Sequence, residues 1–298
     1  MKYVLGKQIC LLTFTVFILL TLHGCGTISA DYPSGDFHVL IISDTHVSND
    51  ASKIQRLKEL TRRVNQAVIP GITIVINTGD VVSSVYKKYH AEKPDPQTSR
   101  LQQAVNVFSD LKIPYYWTMG NHDYKIDSDR DSDAPFVKDE LLMMEKIWKE
   151  ITGFDPYYAV FYHGWKFIFL NSMRGCFLQR NFDEQQLTWL SKELEEQIPT
   201  VLFFHHPMET DNFRLWRFSS MQIEPDTEAE FYSLLRRYKD RIHGIFVGHG
   251  HRFMSDILFE KIPVHETASF ADDESGPFLI VGFDNSEKRI SIGKGQLY

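Results

Sequence analysis

Cysteine is scarce: the 298 residues hold three, Cys10, Cys25 and Cys176. That excludes a disulfide-built scaffold, and no cysteine pair is available for a structural zinc. Long apolar runs are missing too. The run that stands out, Ile9 to Leu22, is shorter than the ~20 residues of a spanning helix, so the chain is no multi-span membrane protein. An excess of positive charge is absent: 32 basic against 39 acidic residues give a net charge of −7. Nothing in that balance attracts nucleic-acid backbone or anionic lipid. There is no internal repeat and no low-complexity tract. Ser43, Ser83 and Ser172 lack the Gly-x-Ser-x-Gly elbow of a serine hydrolase. What remains is an ordinary globular composition, 43% hydrophobic and 24% charged, in a length that suits one large domain or two modest ones. The one chemical hint is twelve histidines, several of them near predicted strand ends.

The N-terminus reads as an address. Lys2 and Lys7 precede the apolar run, as in a secretory signal. Leu22-His23-Gly24-Cys25 resembles the lipobox of bacterial lipoproteins, in which the cysteine is acylated and becomes the first mature residue. This implies a signal peptide over 1–24, a short linker over 25–35 and one domain over 36–298. The protein is then exported and lipid-anchored to the bacterial cell envelope through Cys25, with a mature charge near −9 once both lysines leave. The alternatives are cleavage after Ile28-Ser29-Ala30, which gives a secreted protein, and an uncleaved leader that remains as a single anchor. Cys176 stands alone and reads as a packed small residue.

Beyond the leader, strands alternate with amphipathic helices. Phe37–Ile42, Ile72–Ile76, Pro114–Thr118, Lys166–Leu170, Thr200–Phe204 and Ile242–Val247 are β-rich runs, near-continuously apolar as in strands covered on both faces. Ile54, Leu57, Leu60, Val64 and Val68 form one helical stripe; Leu187, Leu190, Leu194 and Ile198 form another. Asp183 with Gln186, and Thr227 with Glu230, read as capping boxes. Such alternation predicts an α/β fold with a largely parallel sheet. After Val247 the pattern turns to short strands near 256–260, 263–267, 277–283 and 288–292. Two segments read as insertions, 124–150 and 208–225.

The chemistry follows the strands. Asp44-Thr45-His46 follows the first, Gly79-Asp80 the second and Gly120-Asn121-His122-Asp123 the third. His205-His206-Pro207 and Gly248-His249-Gly250-His251 follow two later ones. Ligand sites of open α/β sheets form beyond the carboxyl ends of strands. Carboxylate, amide oxygen and imidazole together suit divalent manganese, iron, nickel or zinc, and there are enough donors for two ions sharing a bridge.

In that order, these five motifs resemble the motif set of the calcineurin-like metallophosphoesterases. The resemblance implies a four-layer αββα sandwich of two mixed β-sheets with a dinuclear metal site at the strand carboxyl ends. It implies that Asp44, His46 and His251 hold one metal, that Asn121, His205 and His249 hold the other, and that Asp80 bridges. His205 is preferred to His206 because the ligand stands two before the proline. His122 becomes the acid near the leaving group, with Asp123 as its orienting partner. The positions where the protein serine/threonine phosphatases carry a further aspartate and a glutamate hold Ser83 and Asp123 here. Ser83 also stands where purple acid phosphatases place a tyrosine, so both of those branches are disfavoured and the bacterial phosphodiesterase and phosphomonoesterase branch remains.

Such a site hydrolyses a phosphodiester or a phosphomonoester through a hydroxide bridging the two metals, attacking phosphorus in line. The expected partner is a small-molecule phosphate ester. Arg214 and Arg217, with Phe213, Trp216 and Phe218, follow the His-His-Pro turn and read as folding that loop onto the domain. The rival reading is a non-catalytic surface lipoprotein that uses a degenerate copy of this fold to bind a glycan or a partner. Degenerate copies lose ligands, and this chain keeps all seven.

Overall fold

The computed structural model describes residues 29–90, 99–130, 137–174, 182–210 and 229–298. The leader, Cys25, Cys176, Thr227 and the arginine–aromatic segment after Thr210 lie outside them. Strands β1 (Ser29–Ala30), β2 (Phe37–Ile42), β3 (Ile72–Asn77), β4 (Tyr115–Trp117), β11 (Pro277–Asp284) and β12 (Arg289–Gln296) form one sheet, in the order β1-β12-β11-β2-β3-β4. A second sheet, in the order β5-β6-β7-β8-β10-β9, contains β5 (Tyr158–Tyr162), β6 (Trp165–Phe169), β7 (Thr200–Phe203), β8 (Ile242–Val247), β9 (Met254–Leu258) and β10 (Ile262–Glu266).

Both sheets are mixed, where strand–helix alternation alone predicts a largely parallel one. β2-β3-β4 and β6-β7-β8-β10 run parallel, and β1, β11, β12, β5 and β9 pair antiparallel around them. The reason is connectivity: the closing segment has no crossover helices, and hairpins such as β11–β12 impose antiparallel pairing.

Residue alternation along the strands builds three apolar layers. Phe37, Val39, Ile41, Ile74 and Ile76 face Phe167, Phe169, Phe203 and Phe246 between the sheets. Phe169 stacks on Phe203 with centroids 5.1 Å apart, and Phe203 on Phe246 at 5.6 Å. The opposite face of the first sheet, with Leu40, Ile42 and Val75, is covered by α1 (Ala51–Asn65), α2 (Arg100–Phe108) and α3 (Lys138–Thr152). Ile168, Leu202 and Ile245 of the second sheet meet α4 (Glu184–Glu195) and α5 (Ala229–Arg237). Each fully buried Phe or Ile contributes about 1.5–3 kcal/mol, which fixes the order helix, sheet, sheet, helix. The aromatic residues Phe154, Tyr158 and Trp165 are part of this packing: Phe154 stacks on Tyr158 at 5.5 Å and Tyr158 on Phe169 at 4.7 Å.

Two local readings are revised. Asp183 caps α4 by accepting from the Gln186 amide at 2.8 Å. The Gln186 side chain completes no capping box; it binds the backbone N–H and C=O of Asn171, at 2.8 and 3.0 Å. A buried amide beside an unpaired backbone segment gains more there than by returning to its own cap. The second revision concerns the linker assigned to 25–35. Its residues Ser29 and Ala30 pair with Gln296 and Gly295 as β1, and Asp31 N–H donates to Lys294 O at 2.9 Å.

Candidate metal centre

The parallel strands bring five loops to one edge of the sandwich. Asp44 and His46 follow β2, Asp80 follows β3, and Asn121, His122 and Asp123 follow β4. His205 follows β7, and His249 and His251 follow β8. Asp44, His46, Asp80, His249 and His251 all have positive φ, between 40° and 72°. Left-handed backbone costs such residues roughly 1–3 kcal/mol each, and its concentration at one spot marks a functional site. Close packing fixes the motif glycines as well. A methyl group on Gly120 would collide with the Asp80 carboxylate, and one on Gly79 would lie 2.6 Å from His205 Nδ1.

Asp80 lies at the centre. Its Oδ1 accepts the His122 backbone N–H at 2.8 Å. Its Oδ2 lies 3.3 Å from His205 Nε2 and 3.9 Å from His46 Nε2. On one side, Asp44 Oδ1 lies 3.2 Å from His251 Nε2 and 3.7 Å from His46 Nε2, and those two ring nitrogens are 3.5 Å apart. On the other side His249 Nδ1 is 3.2 Å from His205 Nε2. Asp44, His46 and His251 can therefore offer ligand atoms within 4.8 Å of one another, and so can Asp44, Asp80 and His205. Asn121 Oδ1 is buried with no hydrogen-bond partner among the described residues. A buried amide oxygen with no donor costs about 1–3 kcal/mol, and a cation beside it removes that cost. Oxygen and imidazole donors crowded this closely fit divalent metal ions.

Backbone and side-chain acceptors aim the rings. His205 Nδ1 meets Thr78 O at 2.9 Å, so Nε2 points at Asp80. His251 Nδ1 meets Asp272 Oδ2 at 2.9 Å, and Lys53 Nζ meets Asp272 Oδ1 at 3.2 Å. A partner on the far nitrogen fixes the tautomer a metal needs. The charges interlock. Burial works to raise the Asp80 carboxyl, but the neighbouring His205 and His122 outweigh it and hold it well below the usual range. Burial likewise opposes the charged form of His205, yet Asp80 carries it up to about 9. His46 is lowered, chiefly by burial.

His122 and Asp123 part company. Asp123 is fully buried and accepts backbone N–H groups of Gly120 at 2.8 Å, Val82 at 3.1 Å and Val81 at 3.3 Å. It ties the β3 and β4 loops together and does not orient His122. That ring is instead fixed by Nδ1 donating to Ser83 O at 3.1 Å, and it meets His46 edge-on at 4.8 Å. The sequence assignment of Asp123 as orienting partner is corrected for a hydrogen-bonding reason: its carboxylate is taken by one amide of its own loop and two of the β3 loop, which would otherwise be unpaired.

Four participants escaped the sequence reading. Asp272 lies in the β10–β11 loop, which no motif marks. Ser83 and Thr78 contribute main-chain oxygens, to which side-chain patterns are blind. His206 joins His205 and His249 in a group of close ligand atoms, with Nδ1 2.7 Å from Ser172 Oγ; the His-His doublet was its only signal. Ser172 is itself fully buried, so this pair offers no accessible nucleophile. His90 and His163 are exposed and stand apart from the centre.

Residues 37–253 match the calcineurin-like phosphoesterase family, and the chain belongs to it. It is accordingly a hydrolase of phosphoric ester bonds, in a family that works with divalent metal ions. Among solved structures, a dimetal phosphatase from Danio rerio is similar over 88% of this chain and 97% of its own, with TM-score 0.63 and 14% identity. GAP50, described as the anchor in the inner membrane complex of Plasmodium, is similar over 86% of this chain and 83% of its own, with TM-score 0.55 and 12% identity. At such identities these likenesses establish the shared fold. No curated protein matches the chain in sequence.

Proposed function

We propose that the protein is an exported, lipid-anchored, dinuclear phosphoesterase acting on small phosphomonoesters or phosphodiesters. In this reading Asp44, His46 and His251 hold one divalent ion, Asn121, His205 and His249 hold a second, and Asp80 touches both. The observation that carries it is the position of Asp80 Oδ2, between His205 Nε2 at 3.3 Å and His46 Nε2 at 3.9 Å. When bound, the two ions supply charge neutralisation at the phosphoryl oxygens and an activated water.

The chain's own groups do the rest. Asp80 Oδ1 accepts the His122 N–H, so Oδ2 is the oxygen that would be available to bound ions. Because His122 Nδ1 is committed as donor to Ser83 O, the mobile proton of the ring is carried at Nε2. From there it passes to the departing alkoxide, the step that limits poor leaving groups. Asp44, Asp80 and His205 are themselves buried, so each charge contact among them acts more strongly than in water.

Retention of β1 supports the Cys25 processing site. Cleavage after Ala30 would delete a strand that pairs with β12, whereas a mature start at Cys25 keeps it. The anchoring role described for the Plasmodium protein shows what else this fold can serve, but the clusters of aspartate and histidine ligand atoms support catalysis. The test is a metal-reconstituted screen with manganese, nickel, iron or zinc over aryl phosphomonoesters and phosphodiesters, with metal content measured alongside. Full turnover after complete chelation would overturn the reading.

A further inference from the structure

Sheet register ties the membrane attachment to the metal centre. Ser29 of β1 is opposite Gln296 of β12, and Gln296 is opposite Pro277 of β11. Leu279 of β11 is opposite Ile41 of β2. Carried two residues further along the ladder, Pro277 is level with Ser43, the residue before Asp44. Running backwards from Ala30 to Ser29, the chain therefore travels in the same direction as β2 does toward Asp44. It leaves the sheet at the edge where the five ligand loops gather. Three strand spacings separate β1 from β2, about 14 Å. Cys25 lies four residues before Ser29, so even a fully extended tether reaches only about 14 Å.

Other features of that rim agree. His251 and Asp272 have side chains 39% and 46% exposed, so the centre opens to solvent on this edge. The β11–β12 turn with Glu287 marks the opposite pole, because Asp284 pairs with Arg289 at the far end of the ladder. Asp272, Asp273 and Glu274 form an exposed acidic run on the rim. Acidic groups are repelled by anionic headgroups and pack no acyl chains, so this rim can face a bilayer across water but does not embed in it.

Resting on the reading of a Cys25-anchored phosphoesterase, we propose that the metal centre is held facing the bilayer and takes phosphate esters displayed on lipids. A short tether confines enzyme and membrane-borne ester to one thin layer, which raises their effective concentration without any added contact.

The test uses the full, lipidated, manganese-loaded protein in phosphatidylcholine vesicles. A donor dye is placed at Glu274→Cys on the rim or at Glu287→Cys on the opposite pole, both in a Cys176→Ala background, with acceptor-labelled lipid in the bilayer. Energy transfer should be clearly greater from position 274; equal or reversed transfer overturns the orientation. Turnover is then compared between the wild type and Cys25→Ser. A soluble nitrophenyl phosphate ester should be hydrolysed equally by both. A nitrophenyl phosphoester carried on diacylglycerol in the same vesicles should be hydrolysed at least ~10-fold faster by the anchored form. Equal rates on the lipid-borne ester overturn the substrate assignment. Mass spectrometry that finds Cys25 unacylated removes the anchor, and the proposal with it. Failure on soluble esters by both forms instead refutes the phosphoesterase reading and leaves the energy-transfer result standing.

Discussion

Asp272 Oδ2 lies 2.9 Å from Nδ1 of His251, whose Nε2 lies 3.2 Å from Asp44 Oδ1. A residue of the β10–β11 loop thus holds a ring that sequence motifs pair only with the β2 loop. The loop is itself fastened: Arg56 Nη1 donates to Phe270 O and Ala271 O, and Ser269 Oγ donates to Asp44 O.

Asp272→Ala should therefore weaken metal binding at the Asp44–His46–His251 side by ~10–100-fold, the usual cost of losing such a partner. Titration calorimetry on the metal-free protein measures it. Asp272→Glu should recover part of the affinity, and Asp272→Asn less, because its amide loses the negative charge that supports the ring. Unchanged affinity in Asp272→Ala would mean that the contact is incidental.

Asp80 and His122 should separate cleanly. Asp80→Ala removes the proposed bridge, so metal occupancy should fall, and monoester and diester turnover should drop together by ~10³-fold or more, about 4 kcal/mol. His122→Ala should keep both ions and lose most on poor alkoxide leaving groups, least on nitrophenolate. Metal analysis plus a leaving-group series decides; an emptied site in His122→Ala contradicts its role as proton carrier.

Asp123 should behave as a structural tie. Asp123→Asn puts an NH₂ group where three backbone amides need acceptors, at a cost of about 1–3 kcal/mol. The thermal midpoint should fall while the leaving-group dependence stays that of the wild type. A leaving-group effect like that of His122→Ala would restore the orienting role to Asp123.

Gly120→Ala should act on the same centre through sterics alone. The new methyl meets the Asp80 carboxylate and its backbone nitrogen, so the β4 loop must shift. Metal affinity and stability should both drop, although no ligand is altered. Wild-type affinity in this variant would show that the loop yields more readily than the packing indicates.

The metal-free protein should lose stability as pH rises from about 6.5 to about 9. His205 is held up to about 9 by Asp80 against the opposing effect of burial, above its usual ~6.5. A raised histidine stabilises fully below its unfolded pKa, and that contribution disappears as pH climbs through the folded one. Glu266, pushed up to about 8 mainly by burial, acts with the same sign. His205→Asn should flatten its share of the profile, which isolates it. Over the same window metal affinity should rise with pH, since the ion takes the lone pair that the proton occupied. Thermal scans of chelated protein across this range, with metal titrations in parallel, provide the measurement.

The sequence by itself determined the strand-end chemistry. β2 and β8 fall on the runs read from Val/Ile/Phe content, and the five motifs stand where those runs stop, because apolar alternation and glycine-bounded loops are local properties of the chain. The family and the four-layer order came from the resemblance of those five motifs to the calcineurin-like metallophosphoesterases; the local pattern alone gave only a largely parallel α/β sheet. Tertiary structure decided what local signals cannot carry. β1 was missed because it is only two residues long. The mixed pairing of both sheets arose from how distant hairpins meet. The acceptors that aim the rings, Asp272 for His251, Thr78 for His205 and Ser83 for His122, come from separate loops or from main-chain oxygens. Asp123 was misassigned because adjacency in sequence says nothing about which way a side chain turns when three buried amides compete for it.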